Sequence, residues 1–251
     1  MVSVIKKSVL SFALASAFGV SANAACDSIF CIGGKVGIGV AYSDFGGNST
    51  IDGNLTSGYG ALDIDLLFVR RLKFGLGFKV GAGSMNLSGS SLSSTSNHTT
   101  SAFGDVSMKI GFNVASLESP LYINFMMFTA NSAISSDFVQ GVGIVGVEFE
   151  GKKQFSEKTY LLYSLGGGVA NGAYGNKNIN FEDIMSNKLG YGLFGSLGLE
   201  YSLTSYLGFY VKGTAKFYDI NASKETQING ASVSFPAAKA WVAMAEAGIT
   251  F

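Results

Sequence analysis

Ten stretches of this chain alternate, residue by residue, between an apolar side and a side of glycines, small polar residues and isolated charges. A period of two is what β-strands with unlike faces require. The stretches fall at 35–43, 62–68, 74–83, 105–114, 121–129, 139–150, 161–169, 189–201, 207–217 and 241–251. In the third, Phe74, Leu76, Phe78, Val80 and Ala82 oppose Gly75, Gly77, Lys79, Gly81 and Gly83. Two stretches are less regular. The fifth is apolar on both faces, and in the sixth Val142 and Ile144 fall out of phase with Val145, Val147 and Phe149, for which a β-bulge is the expected reason.

The question is which side is wet. Asp63 and Asp65 oppose Leu62, Ile64, Leu66 and Phe68; two carboxylates in an apolar core would be costly, whereas a hydrated barrel interior accepts them. Only 14% of residues are charged, against about 25% in soluble globular domains, so much of the surface faces something other than water. A soluble up-and-down barrel would put its apolar residues inside; here the pattern is inverted. Long polar connections after the odd-numbered stretches alternate with short turns after the even-numbered ones, the rhythm of a barrel with short turns on one side and long loops on the other. The expected fold is therefore all-β: a transmembrane antiparallel up-and-down β-barrel of ten strands, eight being the alternative count, with both termini periplasmic and five long extracellular loops. No apolar run after the first two dozen residues approaches the roughly 20 residues a membrane helix needs.

Lys6 and Lys7 precede an apolar run from Val9 to Val20, and Ala22-Asn23-Ala24 follows with small residues at signal-peptidase spacing. Residues 1–24 are read as a cleaved signal peptide, 25–34 as a periplasmic N-terminal segment and 35–251 as the barrel. Without Lys6 and Lys7 the chain keeps 15 basic and 17 acidic residues, a balance that argues against nucleic acid as a partner. Cys26 and Cys31, the only cysteines, are expected to form a local disulfide in the oxidising periplasm. Acylation of Cys26 is the alternative, although Asn23 stands where a lipobox carries Leu. Two cysteines without a nearby histidine make a metal site improbable, and no cofactor is expected.

The last stretch, 241–251, sets Trp241, Ala243, Ala245, Ala247, Ile249 and Phe251 on one face. Tilted by about 40°, it spans roughly 25 Å, the height of a lipid-facing band. Its terminal Phe251 behind alternating apolar residues, with Trp241 and Ile249 on the same face, resembles the closing strand of bacterial outer-membrane β-barrel proteins. The resemblance implies a bacterial outer-membrane location, contact with outer-membrane lipids and lipopolysaccharide, and recognition of the C-terminal segment by the barrel assembly machinery. Its size and its Tyr, Phe, Ser and Asn usage are similar to those of the small outer-membrane proteins of Helicobacter and Campylobacter type.

With this alternation, Lys35, Lys79, Lys109, Lys212 and Lys216 face inward with Asp63, Asp65, Asp105, Glu148, Glu200 and Glu246. Such a mixture predicts mutual pairing rather than the single-sign lining of an ion-selective pore. Glu246 is expected to pair with Lys35 across the seam or with Lys212 and Lys216 on the ninth strand. Catalytic residues are not found. The single histidine, His98, lies in a Ser/Thr-rich stretch without the acidic partners of omptin-type proteases, and Thr100 stands where lipid A deacylases carry Ser. The Gly-x-Gly pairs at Gly37/Gly39 and Gly75/Gly77 lack the third glycine and the helix of a nucleotide site. Asn-x-Ser/Thr triplets start at Asn48, Asn54, Asn86, Asn97 and Asn221, mostly in expected loops, and their glycosylation stays open. The expected role is structural or surface-interacting, with an extracellular or host ligand at the loops; a narrow passive, porin-like channel is the alternative, and an outer-membrane hydrolase ranks behind both.

Overall fold

A computed structural model describes residues 29–46, 52–88, 98–133, 138–176, 185–228, 231–233 and 237–251. The segment 1–24 expected to be a signal peptide, Cys26, Asn48 and Asn97 lie outside the described residues. Ten long strands form one closed antiparallel barrel: β1 (Phe30–Gly46), β2 (Asp52–Phe68), β3 (Leu72–Ser88), β4 (His98–Asn113), β5 (Leu121–Ala133), β6 (Phe138–Gln154), β7 (Thr159–Asn176), β8 (Gly190–Ser202), β9 (Gly208–Ile220) and β12 (Ala238–Thr250). Two three-residue strands, β10 (Thr226–Ile228) and β11 (Ala231–Val233), pair separately between β9 and β12. Every barrel strand pairs with its sequence neighbours, and β1 pairs with β12 from Lys35↔Thr250 to Gly46↔Lys239. That seam removes both sheet edges, which an isolated sheet in lipid could not leave unpaired.

The strands are longer than the alternation suggests, because their polar outer ends also join the ladder. β2 begins at Asp52 rather than 62 and β4 at His98 rather than 105, so His98 starts a strand instead of sitting within a loop. β1 begins at Phe30: Gly33 and Gly34, within the expected periplasmic segment 25–34, are strand residues that pair with Asp65 and Ile64. The regular long-short rhythm weakens accordingly. The connection 134–137 is no longer than 155–158 and is shorter than 114–120. The long connections that remain are 89–97, 177–189 and 221–237. Asn54 and Asn86 are strand residues, with the Asn86 amide donating to Asn54 Oδ1 at 3.1 Å.

The outer surface is an apolar belt. Ile38 is 75% exposed and Leu197 62%, and Phe74, Leu76, Phe78, Val106, Ile110, Val145, Val147, Leu165, Leu199 and Val211 are exposed beside them. In water such a surface would be an aggregation site. Aromatics gather at its rims: Trp241 packs on Phe217 at 4.7 Å and Phe217 on Tyr191 at 5.8 Å near one end, and Phe30 meets Phe68 edge-on at 6.4 Å near the other. Among the described residues no helix is long and apolar enough to cross a membrane; this chain crosses with strands.

The four connections 69–71, 114–120, 155–158 and 203–207, together with the start of β1 and the end of β12, share one end of the barrel, here the turn end. The opposite, loop end carries the longer connections. There, segment 185–189 is stitched between the end of β7 and the start of the β9–β12 connection. The Ser186 amide donates to the Gly172 carbonyl at 2.9 Å, Ser186 Oγ to the Asn221 carbonyl at 2.9 Å, and the Asn187 amide to the Ala222 carbonyl at 2.8 Å.

The parity break in the sixth stretch is not a bulge. The β5–β6 ladder runs without interruption from Leu121↔Gly151 to Ala133↔Val139, as does β6–β7 from Phe138↔Asn176 to Gln154↔Tyr160. Val142 and Ile144 stay in phase with Glu148 and Glu150 and point into the barrel, Ile144 fully buried. The fifth stretch is apolar on both faces for the same reason, since Met126 and Phe128 are also interior and buried.

Candidate functional site in the barrel interior

The interior has two unlike halves. Toward the turn end lies a charged vestibule of about 800 Å³. Toward the loop end an apolar layer fills the lumen: Met126, Phe128, Val142, Ile144, Ala170, Tyr218 and Ile220 in one cluster, Ala41, Tyr59, Ala61 and Met244 in a second, with Val242 packed against both. A largely ion-paired interior was the expectation. It describes the vestibule, while the loop half is closed by hydrocarbon.

All eleven charges expected inside occupy inward positions on their strands, in phase with the buried residues. Glu246 is 2% exposed and collects four donors. Tyr210 OH donates to it at 2.6 Å and Tyr59 OH at 3.2 Å, Lys212 Nζ lies at 3.4 Å, and Lys79 Nζ forms a close ion pair. Lys212 also reaches Asp63 at 3.6 Å. Of the partners expected for Glu246, Lys212 is present. Lys35 is not: its ammonium lies 5.8 Å from the centre of the Tyr210 ring, and no carboxylate among the described residues comes within ion-pair reach of it. Nor is Lys216, which bonds Asp105 at 2.6 Å with its Nζ 4.0 Å from the centre of the Phe128 ring.

A second cluster centres on residues the sequence reading left out. Glu150 receives Lys73 at 2.9 Å, Lys109 at 3.4 Å and the Asn124 amide at 3.0 Å. Lys73 also meets Asp65 at 3.0 Å, Lys109 meets Glu148 at 2.6 Å, and Lys152 meets Glu200 at 2.6 Å. Lys73 and Lys152 lie close to strand ends, outside the alternating stretches, and Glu150 closes the sixth stretch; all three hold the inward parity of their strands. Including them, seven lysines (35, 73, 79, 109, 152, 212, 216) balance seven carboxylates (63, 65, 105, 148, 150, 200, 246). Buried ions are stable only when so compensated.

Trp241 and Ile249 lie on the outward face of β12, and Phe251 follows the strand with the same parity. The backbone of Phe251 exchanges two hydrogen bonds with Gly34, at 2.8 and 3.0 Å, so the seam continues to the last residue. A side chain on Gly34 would meet the Phe251 ring at 2.6 Å, which places that ring directly over the glycine. Cys31 is buried at an inward position of β1; its expected disulfide partner, Cys26, is outside the described residues. Among the described residues no group of three or more His, Cys, Asp or Glu side chains could hold a metal ion.

No protein-family model matches the chain, and no curated protein sequence matches it. Similarity appears among solved structures. The outer-membrane protease OmpT from Escherichia coli superposes with a TM-score of 0.61 at 9% identity, over 88% of this chain and 96% of that one. An outer-membrane channel from Pseudomonas putida F1 aligns at a TM-score of 0.39 with 12% identity, over 93% and 99% of the two chains. The attachment invasion locus protein Ail of Yersinia pestis aligns at 0.34 with 12% identity, over 88% and 99%. At such identities the first likeness concerns the fold alone, and the other two carry no argument. The fold is that of a bacterial outer-membrane β-barrel.

Proposed function

We propose that this protein resides in the bacterial outer membrane as a closed, non-enzymatic barrel that stabilises the membrane or contacts external molecules through its loop end, with its termini in the periplasm. The observation that carries this reading is the filled lumen. An apolar layer lies across the loop half, and the charged half beneath it is internally compensated, so neither a wide aqueous path nor a single-sign filter is present among the described residues. The closing-strand features of Trp241, Ile249 and Phe251 and the similarity in composition to small outer-membrane proteins of Helicobacter type support the same location. The stitched segments 185–189 and 221–224 offer a structured platform at the loop end.

Planar-bilayer recording of refolded protein tests closure. The expected trace is free of steady single-channel openings, and steady openings would select the narrow-channel alternative. Labelling tests orientation. Lys224→Cys, at an exposed loop-end position, is expected to react with a membrane-impermeant maleimide in intact cells, while Glu157→Cys at the turn end reacts only after lysis.

A further inference from the structure

One ion pair divides the interior. Asp105 and Lys216 both line the vestibule of about 800 Å³, and both also line a second chamber of about 60 Å³ within the apolar half. They come from β4 and β9, which are diametrically opposed in the ring of strands, five steps apart in either direction. The 2.6 Å bond between them therefore spans the lumen at the boundary of the two chambers. The Lys216 ammonium is held from a second side by the face of Phe128, a contact that strengthens when desolvated.

The small chamber, though lined mostly by apolar side chains, holds two unpartnered hydroxyls that water could satisfy. Ser57 Oγ and Tyr218 OH both line it, are buried, and have no hydrogen-bond partner among the described residues. Its volume exceeds the roughly 10–15 Å³ of probe-occupied space one water needs. Gln140 and Ser43 also line it, and both lie near the loop-end termini of their strands.

We propose that the Asp105–Lys216 pair is the gate of a latent water path for small ions. With the pair closed, the small chamber is sealed from the vestibule and no continuous water path crosses the apolar layer around it, a state in which ions do not pass. With the pair broken, one charge is left buried without its partner, an arrangement costly enough to draw water in from the vestibule. The two chambers then join. The remaining charge sits at the junction of the two chambers and sets which ions pass. The inference rests on the closed-lumen reading of wild-type protein and adds the residues that enforce it.

The test compares wild type, Asp105→Ala, Lys216→Met and the charge swap Asp105→Lys/Lys216→Asp in planar bilayers under a KCl gradient, each first shown to be folded by heat-modifiable gel migration. Wild type and the swap are expected to be silent. Lys216→Met is expected to give steady openings that favour K⁺, and Asp105→Ala openings that favour Cl⁻, so their reversal potentials differ in sign. Silent single variants that are folded overturn the gate, as does a common selectivity for both, or a swap that conducts like the single variants. Should wild type itself conduct, the closed-lumen reading fails. The gate then stands only if each single variant raises the conductance and the opposite selectivities appear; if they do not, it falls with that reading.

Discussion

Glu246 of β12 and Lys79 of β3 form an ion pair across two intervening strands, β1 and β2. The pair thus bridges the seam at which the first and last strands close the barrel. The same carboxylate holds Lys212 and two tyrosine hydroxyls. Removing its charge would leave two lysines facing one another in a buried site. Glu246→Gln is expected to destabilise the folded barrel by about 3–5 kcal/mol, the range for breaking one side of a buried pair. Urea unfolding in lipid vesicles, followed by emission of the single tryptophan, Trp241, measures it. Adding Lys79→Met should recover part of the loss, and an unchanged midpoint for Glu246→Gln would show that the cluster contributes nothing to stability.

The tightest turn is strained. Val69 and Arg70 have φ values of 52° and 53°, a left-handed pair for which Asn-Gly is the favoured sequence and a β-branched residue the worst. It is held in place by hydrogen bonds from the Val69 amide to Ile29, the Arg71 amide to Phe68 and Tyr122 OH to the Arg70 carbonyl, at 2.7, 2.9 and 3.1 Å. Replacing Val69-Arg70 by Asn-Gly should stabilise the barrel by about 1 kcal/mol or more, since each such residue stores on the order of 1–3 kcal/mol. A lower urea midpoint for the variant would contradict this.

Gly146 and Gly168 face each other across β6 and β7. A Cβ at Gly146 would lie 2.2 Å from the Gly167 carbonyl oxygen and 2.6 Å from the Gly168 Cα, and one at Gly168 meets the reciprocal atoms at the same distances. Backbone cannot move aside as a side-chain tip can. Gly146→Val is expected to cost about 1–3 kcal/mol, as overpacking does, and to lower the folded yield on heat-modifiable gels. Folding as efficient as wild type would show that the approach is looser.

Depth in the membrane can be read along β8. Leu197 and Tyr201 both face outward, Leu197 midway along the strand and Tyr201 at its turn end. Arginine at a bilayer midplane costs roughly 2–4 kcal/mol and close to the interface about 0–1. Leu197→Arg should therefore destabilise the barrel in vesicles well beyond Tyr201→Arg. Equal effects would place the belt elsewhere.

Much of this molecule was legible in its residues. The alternation around Phe74–Val80 and Trp241–Phe251 assigns the strands, their number and their two faces, because successive side chains on a strand point oppositely whatever surrounds them. The inward parity of Glu246, Lys212 and Asp105 follows from that periodicity. The partners do not. Lys79 meets Glu246 three strands away, and Asp105 meets Lys216 across the whole lumen, distances set by strand tilt and stagger rather than by spacing along the chain.

Lys35 shows the same limit from the other side. It is paired in register with Asp63, yet its ammonium finds Tyr210 and no carboxylate within reach among the described residues. Val142 and Ile144 mark where local reasoning fails most clearly. An apolar residue at an inward position looks like a break in phase as long as the interior is taken to be wet throughout. Sequence by itself determined that this chain is a closed membrane barrel with a belt outside and charges within. Only the tertiary structure decided that half of the lumen is filled with hydrocarbon, because a period of two separates one face from the other but cannot say whether an apolar face meets lipid or the opposite wall.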